Sequence, residues 1–140
     1  MLDALLSTIE IAGSGLDSQS ARVRVASENL ANMESTGNAP GANPYTRKTI
    51  SFDSIMDEAT GADLVNTGSI DLDTSPYRIE RNPAHPAADA SGNVKLPNVD
   101  MLVELADIRE ANRSYEANIQ VIKQARDMIS MTIDLMRTNS

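Results

Sequence analysis

Few residues in this chain combine the type and spacing that chemistry requires. The only histidine, His85, stands between Ala84 and Pro86, with Asp89 nearby. A metal centre or general base needs further ligands, or an orienting partner at a defined spacing. A lone imidazole in a proline-rich turn reads as structural or exposed. Asp71-Leu72-Asp73 brings two carboxylates together, but the other oxygen ligands and the glycine of a calcium loop are missing. It reads as a solvated turn. Gly13-Ser14-Gly15 lies inside a helical apolar pattern, so it does not read as a phosphate loop, and no nucleophile elbow occurs. The chain has no cysteine, which excludes disulfides, thiol catalysis and cysteine-ligated zinc. These residues assemble no catalytic site, and neither an enzyme activity nor a cofactor nor a metal is expected.

The elements that could position anything are two long amphipathic helices. From about Asp100 to Met136, Leu105, Ile108, Tyr115, Ile119, Ile122, Ile129, Ile133 and Met136 recur at three- and four-residue steps, and no Gly or Pro follows Pro97. Such a stripe keeps a seven-residue repeat and demands a partner helix of similar length. The partner lies at the other end of the chain. Leu2, Ile9, Leu16, Val23 and Leu30 fall at intervals of seven, with Leu5, Ala12, Gln19, Ala26 and Met33 in the second seam position. At 1.5 Å per residue the two helices span about 48 and about 55 Å. Two core-facing helices of a small bundle are the alternative, but only two long helices are available. Gln19, Asn112 and Arg126 fall on the seams, where a polar residue either fixes register or lies at a seam edge facing solvent, and the long stem of Arg126 favours reaching water.

Between the helices the composition changes. Residues 34–41 are turn-like, 45–52 and 76–81 read as strands, and 53–72 is either a short helix or a loosely paired strand. Residues 82–98 form an extended, proline-punctuated run, and Asn98 or Asp100 caps the last helix. The expected fold is mainly α. Its segments are an N-terminal helix (1–36), a β-rich insert (37–98) and a C-terminal helix (99–140), the helices pairing as an antiparallel coiled-coil hairpin.

Composition sets the class of partner. The net charge is −8 and aromatics make up 3% of the chain, with no Trp and one Phe. Without a basic patch, nucleic acid is not a partner. The N-terminus has no basic region before its apolar residues and is amphipathic, so neither a cleaved secretory signal nor a membrane span is expected. A core with so few large side chains is thin, and burial is expected to be completed against other chains.

The run Gly15-Leu16-Asp17-Ser18-Gln19, followed by Ser27-Glu28-Asn29-Leu30-Ala31-Asn32, resembles the N-terminal signature of flagellar rod, hook and hook-associated proteins. Asn43-Pro44-Tyr45-Thr46-Arg47-Lys48, Ser75-Pro76-Tyr77-Arg78 and His85-Pro86-Ala87-Ala88-Asp89 extend the match. Leu96-Pro97-Asn98-Val99-Asp100, Glu104 and Arg113-Ser114-Tyr115-Glu116-Ala117-Asn118 complete it. Over nearly its whole length the chain is similar to the flagellar basal-body rod family. The resemblance implies a structural subunit of the rod, located in the periplasmic part of the basal body and transmitting torque. It also implies export by the flagellar type III apparatus without signal cleavage. Its partners would be copies of itself and other rod proteins. A soluble helical-hairpin adaptor or export chaperone is the alternative; it would be stably folded as a monomer or dimer.

Overall fold

The computed structural model describes residues 2–58 and 60–138; Met1, Ala59, Asn139 and Ser140, at the outer ends of the expected segments 1–36 and 99–140 and within 37–98, lie outside them. Two long helices frame a small β insert. Helix α1 runs Leu2–Ala31 and α2 runs Met101–Thr138. At the end of α1 the Asn32 side-chain Nδ2 donates to Glu28 O at 2.8 Å, beside its own backbone N–H at 3.1 Å, and Arg78 Nη2 donates to Met33 O at 3.2 Å. The Arg78 bond serves a carbonyl past the last helical residue. Of the two expected caps for α2, Asp100 serves. Its Oδ1 accepts from the Leu102 and Val103 amides at 2.8 and 3.4 Å, and Pro97 keeps the helix from starting earlier.

The insert differs in detail from the sequence expectation. Strand β1 covers Lys48–Met56 and pairs with β2, Asp63–Leu72. It starts three residues later than expected, because the Arg47 amide donates to the Asn98 side chain at 2.8 Å. The ambiguous 53–72 stretch is strand, not helix, apart from the turn after Met56. Gly68 in it is closely approached: a Cβ there would stand 2.5 Å from Ser51 Oγ and 2.6 Å from Asp53 Oδ2, so those side chains would have to move. Strand β3 is Arg78–Arg81. It pairs antiparallel with a strand the sequence hid, β4 (Asn93–Leu96), with Arg78 opposite Leu96 and Arg81 opposite Asn93.

The chain divides into two compact units, and both helices contribute to each. One comprises Met1–Ala21, Ser51–Gly68 and Glu110–Ser140; the other comprises Arg22–Ile50 and Ser69–Arg109. In the first unit Ala12, Gly15, Ser18, Ala62, Ala111 and Ala125 are buried. There β2 is tied to α1 through two serines one turn apart. The Val65 amide donates to Ser14 Oγ at 3.1 Å, and Ser18 Oγ donates to Val65 O at 3.4 Å. The second unit buries Val25, Ala26, Asn29, Ala87, Val94, Val99 and Glu104. Among the described residues, no buried apolar side chain is larger than valine. Burying so little large apolar surface leaves a single copy with a thin hydrophobic contribution to stability.

Candidate functional site

The polar heart of the second unit is built around Asn29, and every hydrogen-bonding group of its side chain is used. Its Oδ1 accepts from the Lys48 amide and the Tyr45 hydroxyl, both at 2.8 Å; its Nδ2 donates to Lys48 O at 2.8 Å and to Glu104 Oε2 at 3.2 Å. An amide side chain has two acceptor and two donor sites, so this residue is saturated. It reads the Lys48 backbone as a neighbouring strand would. Glu104, 1% exposed, is neutralised by Arg47, whose Nε donates to Oε1 at 2.6 Å. A buried carboxylate persists only with such a partner. Arg47 also reaches Asp73 at 3.2 Å. Burial alone would lower the Arg47 pKa, but its hydrogen bonds and charge contacts with Glu104 and Asp73 outweigh that and raise it.

The network continues through the insert. Asn98 accepts from the Arg47 amide and donates to Asp73 O at 3.1 Å and to Ser75 Oγ at 3.0 Å. The Ser75 backbone and hydroxyl, followed by Arg47, hold the Asp73 carboxyl below its ordinary range. Asp73 is therefore not the plain solvated turn that its sequence suggests. Burial, then the charges of Glu28 and Glu104, pushes the Tyr45 hydroxyl up to about 12. Arg22 Nε donates to Asp107 at 2.9 Å, an ion pair from α1 to α2 in this unit.

The sequence candidate His85 proves to be local structure. His85 Nδ1 accepts from the Ala87 amide at 3.0 Å, closing a turn, and its ring lines a pocket with Arg78, Glu80 and Val94. Among the described residues, no three of His, Cys, Asp or Glu gather closely enough to hold a metal ion. Of the motif residues, Asn29, Asn32, Pro97, Asn98 and Asn118 are structural. Pro97 is buried, and the Asn118 amide would lie 2.6 Å from a Cβ at Gly15 in the first unit. Ser27, Ala31 and Ala117 are exposed, and Tyr115 is 36% exposed.

The large apolar residues expected to pack lie at the margins of what a single chain buries. Leu5, Ile9, Leu16, Val23, Leu30, Ile108, Ile119, Ile122 and Ile129 are half-buried, while Leu2, Leu105, Ile133 and Met136 are exposed. Burial centres on a row of small and polar residues instead: on α2 Glu104, Ala111 and Ala125 are buried with half-buried Asn118 in the same seven-residue register, and on α1 Gly15 and Asn29 are buried with half-buried Arg22 between them. Asn112 and Arg126, polar interruptions in the expected seam, face solvent because that row passes one residue before them. Glu104 and Arg47 belong to the motifs that carry the family resemblance, but neither has an apolar signal to mark it as a buried partner. Only the seven-residue recurrence of small side chains on α2 could have pointed to the row that holds Glu104.

A polar clasp beneath long helices, with much apolar surface left outside, suits a building block. The family model described as "Flagellar basal body rod FlgEFG protein C-terminal" matches residues 90–135, from the turn before β4 through most of α2. Similarity to individual proteins runs the full length. The flagellar basal-body rod protein FlgC of Agrobacterium fabrum is 50% identical over 138 residues, 99% of each chain. That of Salmonella typhimurium is 40% identical over 94% of this chain and 98% of the relative. That of Borreliella burgdorferi is 34% identical over 95% of this chain and 98% of the relative. The chain belongs to the FlgC family of flagellar basal-body rod proteins.

Proposed function

We propose that this chain builds the flagellar rod by helix packing, with α1 and α2 of each copy paired as an antiparallel coiled coil. The chain is a structural subunit of the basal-body rod and, as a member of that family, is not an enzyme. The single observation that carries this is full-length similarity to proteins of that name. Supporting the antiparallel pairing in the second unit, Arg22 meets Asp107 and Asn29 meets Glu104, so the numbering rises on one helix as it falls on the other. In the first unit Gly15 faces Asn118. No described helix is long and apolar enough to cross a membrane.

The packing residues are Leu2, Leu5, Ile9, Leu16, Val23 and Leu30 on α1, with Leu105, Ile108, Tyr115, Ile119, Ile122, Ile129, Ile133 and Met136 on α2. They close the hairpin where half-buried and join subunits where exposed. Partners are copies of this chain and other rod proteins, delivered by the flagellar export apparatus, and the assembled rod carries torque. The adaptor or chaperone alternative is not favoured by the relatives. Removing the coding region and isolating basal bodies tests the reading. Loss of the rod and everything beyond it, restored by the intact chain, is expected. Complete rods without the chain would end it.

A further inference from the structure

Asp73, Asp89 and Asp100 each accept from the backbone amide two residues on, those of Ser75, Ser91 and Leu102, at 2.8 Å. His85 does the same work in the insert, its Nδ1 accepting from the Ala87 amide at 3.0 Å. The two kinds of acceptor differ in one respect. A carboxylate keeps its lone pairs through the neutral range, whereas an imidazole nitrogen that gains a proton becomes a donor. The bond to Ala87 therefore selects the neutral ring with its proton on Nε2. A proton on Nδ1 would set N–H against N–H and leave the amide of buried Ala87 without its acceptor. Ala87 is also where this loop is tied down. Its carbonyl accepts from the Gly41 amide at 3.1 Å, joining the loop between β3 and β4 to the turn that follows α1.

The protonated ring has room and partners. The pocket that it lines has about 290 Å³ of space, and Glu80 on β3 and Glu34 after α1 line it too, both exposed. The other charged groups around the ring are already held. Arg78 lines the pocket and opposes a second cation there, but its Nε and Nη2 donate to the Pro97 and Met33 carbonyls, each at 3.2 Å. Asp89, on the same loop, accepts from the Ser91 and Asn93 amides at 2.8 and 2.9 Å. Glu34 and Glu80 are the carboxylates that share the pocket with the imidazole. We propose that His85 is a pH-sensitive latch. Neutral, it closes the turn on Ala87; protonated, it leaves Ala87 for the pocket carboxylates and loosens the loop from Gly41. The closed form is present when the ring is neutral and is lost as pH falls through the ring's titration.

The test uses the isotopically labelled full-length chain and nuclear magnetic resonance. The ring nitrogens of the neutral form should show the proton on Nε2; a proton on Nδ1 overturns the proposal without recourse to any variant. The second measurement is the protection of the Ala87 and Gly41 amides from exchange, relative to the unfolded chain, between about pH 8 and about pH 5. In the parent chain it should fall about tenfold or more as the ring gains its proton. His85→Asn places a side-chain oxygen where it can accept the same bond and cannot be protonated, so protection should stay level across the range. His85→Ala should show low protection at both ends. Level protection in the parent chain while the ring titrates overturns the proposal. So does an equal fall in His85→Asn, which would assign the effect to another group.

Discussion

Asn29 shows how one side chain holds an insert to a helix. Its amide pairs with both backbone groups of Lys48 while bridging Tyr45 and Glu104. Asn29→Asp keeps the shape but removes both donors and sets a second carboxylate against Glu104. An unpaired buried acceptor beside a like charge costs about 3 kcal/mol or more, so the midpoint of chemical unfolding should fall clearly. Glu116→Ala, on exposed surface, should change stability by less than about 0.5 kcal/mol. A small effect at Asn29 would mean that the clasp contributes little. Tyr45 offers a pH test. Its pKa is raised from 10.0 to about 12, so the folded state holds this proton more tightly than the unfolded chain. The associated stability is fully present below pH 10 and is lost as pH rises towards 12. Ultraviolet titration of the three tyrosines should show one late step, removed by Tyr45→Phe. A single step untouched by that substitution would contradict the assignment.

At the level of elements, two neighbouring glycines in α1 should behave oppositely. Gly13→Ala gains helix propensity, up to about 1 kcal/mol, and meets no obstacle within 4 Å. Gly15→Ala gains the same propensity but drives its methyl against the Asn118 amide, so thermal unfolding should show little gain or a loss. Equal gains would mean that α1 is not held against Asn118. Both helices were legible in the sequence because their heptads are long and free of proline, and the Asp100 cap was among the expected ones. The row that buries most was not legible, because Glu104, Ala111, Asn118 and Ala125 look like solvent-facing residues when hydrophobicity is the guide. Strand β4 was hidden for another reason. Asn93-Val94-Lys95-Leu96 is short and sits between Gly92 and Pro97, and its order comes from non-local pairing with β3. The clasp was equally non-local: Asn29 belonged to a recognised motif, but nothing in the spacing ties it to Arg47 or Glu104.

At the scale of the molecule, a core whose buried apolar side chains, among the described residues, are no larger than valine, beside exposed Leu, Ile and Met, implies a chain finished by its neighbours. The unit holding the clasp, residues 22–50 and 69–109, should protect its amides from hydrogen exchange longer than residues 2–21 and 110–138 do in the isolated chain. Uniform protection would favour a self-sufficient adaptor. The central claim is that assembly proceeds through the apolar rows of the two helices. Val23 and Ile122 lie on those rows, both half-buried in the single chain. Changing either to Asp places an uncompensated carboxylate in a packed interface, at a cost of about 3 kcal/mol or more. The decisive measurement is the amount of each variant in purified basal bodies, set beside the amount exported into the medium. Val23→Asp and Ile122→Asp should be exported yet absent from the rod, with Glu116→Ala incorporated normally; normal incorporation of either aspartate variant would contradict the account.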